Sequence, residues 1–268
     1  PFAQTAKERG NESLKTFIKK VEYPADYICE AIDQTRGWFY TLLAVGVLAK
    51  RGASYKNAIS LGHLLDAGGQ KMSKSKGNVV NPDEFVKEYG ADAVRMYLAF
   101  IGPYNEPGSY PWNLDGVTAI RKFLERINRL VEKINLGVKP PSEVSEGIQQ
   151  ALVKASVKVA EDGDRFKFNT GVAALMILVN EFEAAESVPK AALTDLLIML
   201  APFAPHLAEH LWEQLGGEST STSLGVNSVH QQSWPVFEKV LVTESEVVVQ
   251  VNGKRRGSVL LALDASEA

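Results

Sequence analysis

Lys71-Met72-Ser73-Lys74-Ser75 stands between Gly68-Gly69-Gln70 and Lys76-Gly77-Asn78. Two lysines three apart, interleaved with two hydroxyls and bounded by glycines, can present ammonium groups to a polyanion while the flanking backbone moves. The same composition also suits a solvated turn, so composition alone leaves both readings open. The place of the stretch in the chain narrows them. Ile59, Leu61 and Leu65 alternate with other residues up to Asp66-Ala67-Gly68-Gly69, which predicts a strand ending just before the lysines. Earlier, residues near Tyr27 to Glu30 read as a short strand and Arg36 to Lys50 as an apolar helix. Strand, helix, strand and then a loop of this kind suits the last part of a nucleotide-binding α/β domain, where ligands lie outside the carboxyl ends of strands.

Beyond the loop the periodicity turns helical. Asn81-Pro82-Asp83-Glu84 offers a capping residue, a proline for the first helical position and an acid behind it, so a helix starts there. Ile120, Phe123, Leu124, Ile127, Leu130, Val131 and Ile134 form one face of a long amphipathic helix. Its other face carries Arg121, Lys122, Arg126, Arg129 and Lys133, which can follow an RNA backbone or simply meet water. The pattern breaks around Gly137 to Ser142. Gln149 to Glu161, Asn169 to Glu186, Ala191 to Leu200 and His206 to Leu215 then predict an antiparallel bundle. Gly216 to Gln232 reads as a loop. Val247, Val249 and Val251 alternate toward Asn252-Gly253, and Ser258 to Leu263 supplies a return strand, a hairpin signal.

With 268 residues, 45% of them hydrophobic, the chain is long enough for two domains with ordinary cores. A net charge of −3 gives no global signal for nucleic acid, so any RNA contact rests on local basic faces. The single Cys29 excludes an intrachain disulfide and fits a reducing compartment. Trp38 to Leu48, the most apolar stretch, is too short to span a bilayer, so no membrane partner is expected. The chain begins at Pro1 and is read as an excised piece, in which a targeting peptide would be invisible.

The pentapeptide at 71–75 resembles, letter for letter, the KMSKS signature of class I aminoacyl-tRNA synthetases. Glu30 to Phe39 looks like the segment those enzymes place at the floor of the adenylate pocket, with Ala31 where the family commonly carries glycine. Gly77 to Asp83 and Tyr89 to Arg95 look like the linker and helix that follow the signature. Phe168-Asn169-Thr170, Leu200-Ala201-Pro202-Phe203-Ala204-Pro205-His206 and Val251-Asn252-Gly253-Lys254-Arg255-Arg256-Gly257 extend the likeness over nearly the whole chain. The later motifs, with Met176 and Asn180, resemble the leucine-type branch most closely. Asp33-Gln34-Thr35-Arg36-Gly37-Trp38-Phe39 looks more isoleucine-like and keeps that branch as the alternative.

The resemblance implies an α+β fold, mainly α: the C-terminal end of a Rossmann-like catalytic domain over residues 1–80, connecting helices and a helical anticodon-binding-type bundle over 81–236, and a small β hairpin opening a truncated domain over 237–268. It implies a ligase that joins leucine to ATP and passes it to tRNA, specifically leucine tRNA, in the cytoplasm. ATP is then the co-substrate, with Mg2+ held mainly by phosphates and water. Lys71, Ser73, Lys74 and Ser75 become the catalytic set, Lys74 foremost, stabilising charge that builds on phosphate oxygens. Gly68, Gly69 and Gly77 are the expected hinges of a closing loop. Lys74, Met72, His63, Glu30, Asp33 and Gln34 become the nucleotide-pocket candidates. On residues alone, Asp33 reads equally as a helix cap and His63 as a structural histidine. His206-Leu207-Ala208-Glu209-His210 fits a zinc-peptidase pattern but lacks a further ligand, so no metal ligands are assigned. The isolated chain is expected to be inactive, since the family's His-Ile-Gly-His signature is absent. A module that binds RNA without catalysis is the alternative of another class, and the intact lysine run counts against it.

Overall fold

The computed structural model describes residues 23–104, 106, 108–135, 144–216, 228–237, 244–251 and 254–262. The expected connection at 137–142 and the turn at Asn252-Gly253 lie outside the described residues. The chain divides into two compact units, residues 1–124 with 161–173, and residues 125–160 with 174–268.

In the first unit, strand β1 (Ala25–Ala31) runs into a 3-10 turn (Ile32–Arg36), helix α1 (Trp38–Leu48) and strand β2 (Tyr55–Leu61). β1 and β2 pair in parallel, with Ala25 opposite Tyr55 and Ala31 opposite Leu61, so their carboxyl ends leave the same edge. Parallel strands need a crossover, and α1 supplies it. Phe39 on α1 is buried, and its carbonyl accepts the Tyr55 hydroxyl at 3.2 Å. Buried Ser54 donates to the Leu42 carbonyl at 2.9 Å, fastening the start of β2 to the same helix. The outer side of α1 leaves Tyr40, Val45, Val47 and Leu48 exposed.

The second predicted strand does not run unbroken to Leu65. It splits at Gly62-His63 into β2 and the short β3 (Leu64–Leu65), which joins β4 (Tyr110–Pro111) in a separate parallel pair. The break follows from close backbone approach: a Cβ on Gly62 would lie 1.4 Å from the Gly108 carbonyl oxygen, so only glycine passes there. Helix α2 (Pro82–Tyr89) starts where its capping signal falls, with the Asn81 side chain accepting from the Asp83 amide at 3.1 Å. Helix α3 (Ala91–Phe100) follows, and Ala93, Val94, Met96 and Tyr97 are buried. Trp112 meets Phe85 and Tyr97 edge-on at 4.8 and 5.1 Å, the aromatic centre of this unit.

Helix α4 (Leu114–Asn135) is longer than its apolar run predicts, because Asn113 caps it, accepting from the Asp115 amide at 2.9 Å. Helices α5 (Glu146–Asp164), α6 (Phe168–Ala184), α7 (Lys190–Leu200) and α8 (Pro205–Gln214) follow, each within a few residues of its predicted span. The core of the second unit is mainly aliphatic, with Phe182, Phe203 and Trp212 buried in it. Leu175, Leu178, Phe182, Leu193, Leu196, Leu197, Met199 and Leu200 are all essentially inaccessible. β5 (Glu244–Val251) and β6 (Lys254–Ala262) pair antiparallel with a register shift between Val249 and Gln250.

Two charged positions in this unit carry stability predictions. The Arg126 guanidinium binds both carboxylate oxygens of Glu183 and donates to the Asn180 side-chain oxygen at 2.6 Å. The hydrogen bond to Arg126 holds the Glu183 carboxyl below its ordinary value of 4.5, so the pair stabilises fully above that pH and loses its effect as pH falls through the folded pKa. Arg126→Ala should cost about 1 kcal/mol at pH 7, discounted because both partners remain partly in water. In denaturant titrations the difference from the unaltered protein should vanish at strongly acid pH. Asp195 on α7 has the opposite sign: burial raises its carboxyl from 3.8 to about 6. The folded state binds the proton more tightly, so stability falls as pH rises through about 6, where the buried carboxyl ionises. Asp195→Asn should therefore melt higher than the unaltered protein at pH 8 and near it at pH 4.

Candidate functional site at the strand carboxyl edge

The parallel register sets Glu30 opposite Ser60 and Ala31 opposite Leu61, so the segment 30–34 and Gly62-His63 leave adjacent strand ends, and the lysine loop follows β3 beyond them. Glu30 and Asp33 are exposed there. Ala31 has φ −66° and ψ 154°, extended backbone open to any residue, so the alanine needs no glycine conformation. The capping role expected of Asp33 falls to Gln34, whose side-chain oxygen accepts the Trp38 amide at 2.8 Å at the start of α1. Thr35 closes the same turn by donating to the Ile32 carbonyl at 2.7 Å.

His63 lies in the gap between β2 and β3. Its carbonyl accepts the Tyr110 amide at 3.2 Å, and its ring borders a cavity of about 70 Å³ with Leu98, Tyr104 and Tyr110. The Lys71 ammonium sits 3.3 Å from His63 Nε2, which joins the loop to this cavity rim.

The loop itself is an ordered element. Residues Lys74–Lys76 form a 3-10 turn, with Ser73 as its cap accepting the Lys76 amide and Gly77 closing it at φ +66°. Ser73 and Ser75 hydroxyls are 3.1 Å apart. Lys71, Lys74 and Ser75 are exposed, whereas Met72 and Ser73 are half-buried. This arrangement leaves two ammonium groups and a hydroxyl pair on one short arm at the carboxyl edge, a geometry suited to phosphate oxygens.

Two residues singled out by no sequence argument hold that arm in place. Asp66 Oδ1 accepts the Gly68 and Gln70 amides at 3.0 and 2.8 Å. Asn78 donates to Asp66 Oδ2 at 2.7 Å and accepts the Ser73 amide at 2.9 Å. The Asn78 bond, followed by the Gln70 amide, keeps the Asp66 carboxyl below its ordinary 3.8. The Asp-x-Gly spacing that makes such a turn was legible, but the partner twelve residues on was not.

The basic face of α4 is partly spent inside the protein. Arg121 donates to the Tyr89 carbonyl at 3.0 Å, and Arg126 is committed to Glu183 and Asn180. The zinc-like pattern is structural as well. Glu209 accepts the Ser228 hydroxyl at 2.7 Å and the Val229 amide at 3.1 Å, while His210 meets Gln214 at 2.8 Å. Among the described residues no group of three or more His, Cys, Asp or Glu could hold a metal ion. No helix among them is long and apolar enough to cross a membrane.

Residues 7–107 match the family model for tRNA synthetases class I (I, L, M and V), and residues 147–268 match that for the anticodon-binding domain of tRNA ligase. The leucine--tRNA ligase of Chlorobaculum tepidum is 38% identical over 229 residues, covering 84% of this chain and 27% of that protein. The leucine--tRNA ligase of Bdellovibrio bacteriovorus is 37% identical over 235 residues, covering 87% and 28%. The chain thus spans little more than a quarter of the length of these curated relatives. Among solved structures, it is similar to the ternary complex of Agrobacterium radiobacter K84 agnB2 LeuRS, tRNA and LeuAMS, with a TM-score of 0.68 and 29% identity over 91% of this chain and 34% of that one. An ordered lysine loop at the carboxyl edge of parallel strands, followed by a helical region, accords with these matches: residues 7–107 belong to the class I tRNA synthetase family and residues 147–268 to the anticodon-binding domain of tRNA ligases, alongside relatives named leucine--tRNA ligase.

Proposed function

We propose that these residues are part of a leucine--tRNA ligase, which activates leucine with ATP and transfers it to the 3′ end of leucine tRNA in the cytoplasm. The observation that carries the reading is the ordered Lys71 to Ser75 arm, its 3-10 turn capped by Ser73, directly after the carboxyl end of β3. In the activating step the leucine carboxylate attacks the α-phosphate, the bond to the bridging oxygen breaks, and pyrophosphate leaves. Lys74, supported by Lys71 and the Ser73 and Ser75 hydroxyls, stabilises charge on the phosphate oxygens as it builds. Glu30, Asp33 and Gln34 offer oxygens and an amide to the amino acid, ribose or adenine, and His63 and Met72 border the nucleotide.

Magnesium fits this arrangement as a companion of the nucleotide, neutralising phosphate charge with phosphate oxygens and water as ligands. The groups on the loop are ammoniums and hydroxyls, which meet phosphate and leave metal coordination to the substrate.

The β1, α1, β2 order supports assigning residues 1–80 to the end of a Rossmann-like domain, since parallel sheets are covered on both faces and the apolar outer side of α1 lies exposed. Residues 81–236 then supply the linker and the tRNA-binding bundle. Residues 237–268 are assigned to a β-rich region, for which the pairing of β5 with β6 is the support.

Amino-acid-dependent exchange of pyrophosphate into ATP by the full-length protein tests this. Leucine should drive exchange, and Lys74→Ala should lower its rate by about a hundredfold or more, the loss typical of one donor aimed at developing charge. Exchange driven by isoleucine would place the protein on the other branch, where the stretch Asp33 to Phe39 points. No exchange with any amino acid, alongside tRNA binding, would establish a noncatalytic RNA-binding module. The 268 residues alone should give no exchange.

A further inference from the structure

The expected glycine hinge before the lysines is not loose. Asp66 N donates to the Gln70 carbonyl at 2.8 Å, Gly69 N donates to the Asp66 carbonyl at 2.9 Å, and Leu65 bridges to Lys71. With the Asp66 carboxylate on the Gly68 and Gln70 amides, residues 66–71 close into one fastened turn. Asn78 then bolts the far end of the loop to it. Its amide nitrogen serves Asp66 and the Lys71 carbonyl, at 2.7 and 3.3 Å, and its oxygen takes the Ser73 amide. The segment left to move is the capped turn Lys74–Lys76, pivoting between Ser73 and Asn78.

We propose that Asp66 and Asn78 are positioning residues for the activating step, a paired clamp at the base of the loop that fixes where Lys71 stands and the path along which Lys74 reaches the phosphates. The proposal rests on the ligase reading above. The clamp uses one carboxylate and one neutral amide, and this choice has an electrostatic consequence. Asn78, which occupies the Asp66 Oδ2 atom, carries no charge, so the loop is closed without a salt bridge to Lys71 or Lys74 as its tie. The lysine charges stay directed at the substrate, and positioning of this kind acts on the transition state more than on ground-state binding.

In the full-length protein, Asn78→Ala and Asp66→Asn should each lower the turnover of leucine-dependent exchange by about ten- to a hundredfold, as a small misplacement of a charged group does. The KM for leucine should stay within about threefold, since only interactions made in the transition state are lost. Asp66→Asn sets donor against donor at Asn78. Adding Asn78→Asp restores a donor and acceptor pair in reverse, and the double variant should recover rate above the product of the losses in Asp66→Asn alone and Asn78→Asp alone. Trypsin should cut after Lys71, Lys74 or Lys76 faster in both single variants, with the thermal midpoint unchanged within about 4 °C.

Turnover within twofold of the unaltered protein in both single variants, with Lys74→Ala inactive, would overturn the clamp and leave the ligase reading standing. A fall in turnover matched by a collapse of the thermal midpoint in both would also overturn it, because the residues would then be structural. If the unaltered protein shows no exchange, the ligase reading fails, the activating role of the clamp falls with it, and trypsin alone decides whether a structural clamp exists.

Discussion

The parallel register of β1 and β2 is the constraint on which the site depends. Because Ala31 lies opposite Leu61, the chain emerges twice at one edge, once into the segment 30–34 and once into Gly62-His63, ahead of β3 and the lysine loop. Parallel pairing also leaves dipoles and backbone groups at that edge unpaired by the strands, which is why such edges take ligands. Gly62 is the geometric price of this arrangement, admitting the Gly108 backbone where no side chain fits.

Order in the loop comes from a second layer of interactions. A run of lysines and serines has little apolar surface to bury, so its conformation is set by hydrogen bonds at its base. Asp66 and Asn78 provide them from outside the signature itself. The 3-10 turn through Lys74 is then small, capped and self-contained, able to move without unfolding its support.

The helical unit answers to different forces. Its core is mainly aliphatic and closely buried, and charged groups bond in the Arg126, Glu183 and Asn180 cluster and in the Glu209 cap on the 3-10 turn Val229–Gln231. Both clusters occupy residues whose sequence patterns suggested ligands, RNA in one case and zinc in the other. Arg126 meets Glu183 in a bidentate, charge-assisted pair, the stronger kind of hydrogen bond.

Element type was largely legible in the sequence because it depends on neighbours three, four or two residues apart: the apolar spacing from Ile120 to Ile134, the cap at Asn81 and the alternation around Val249 need no distant information. The signature at 71–75 was legible for the same reason, being contiguous. What only the tertiary structure decided was every relation across sequence distance. It decided that β2 breaks at Gly62, that Gln34 and not Asp33 takes the first amide of α1, that Arg121 and Arg126 bond to groups of the protein itself, and that Asp66 finds Asn78. Local pattern states which groups a segment offers, but the partner that accepts them is chosen by the packing of segments far apart in the chain.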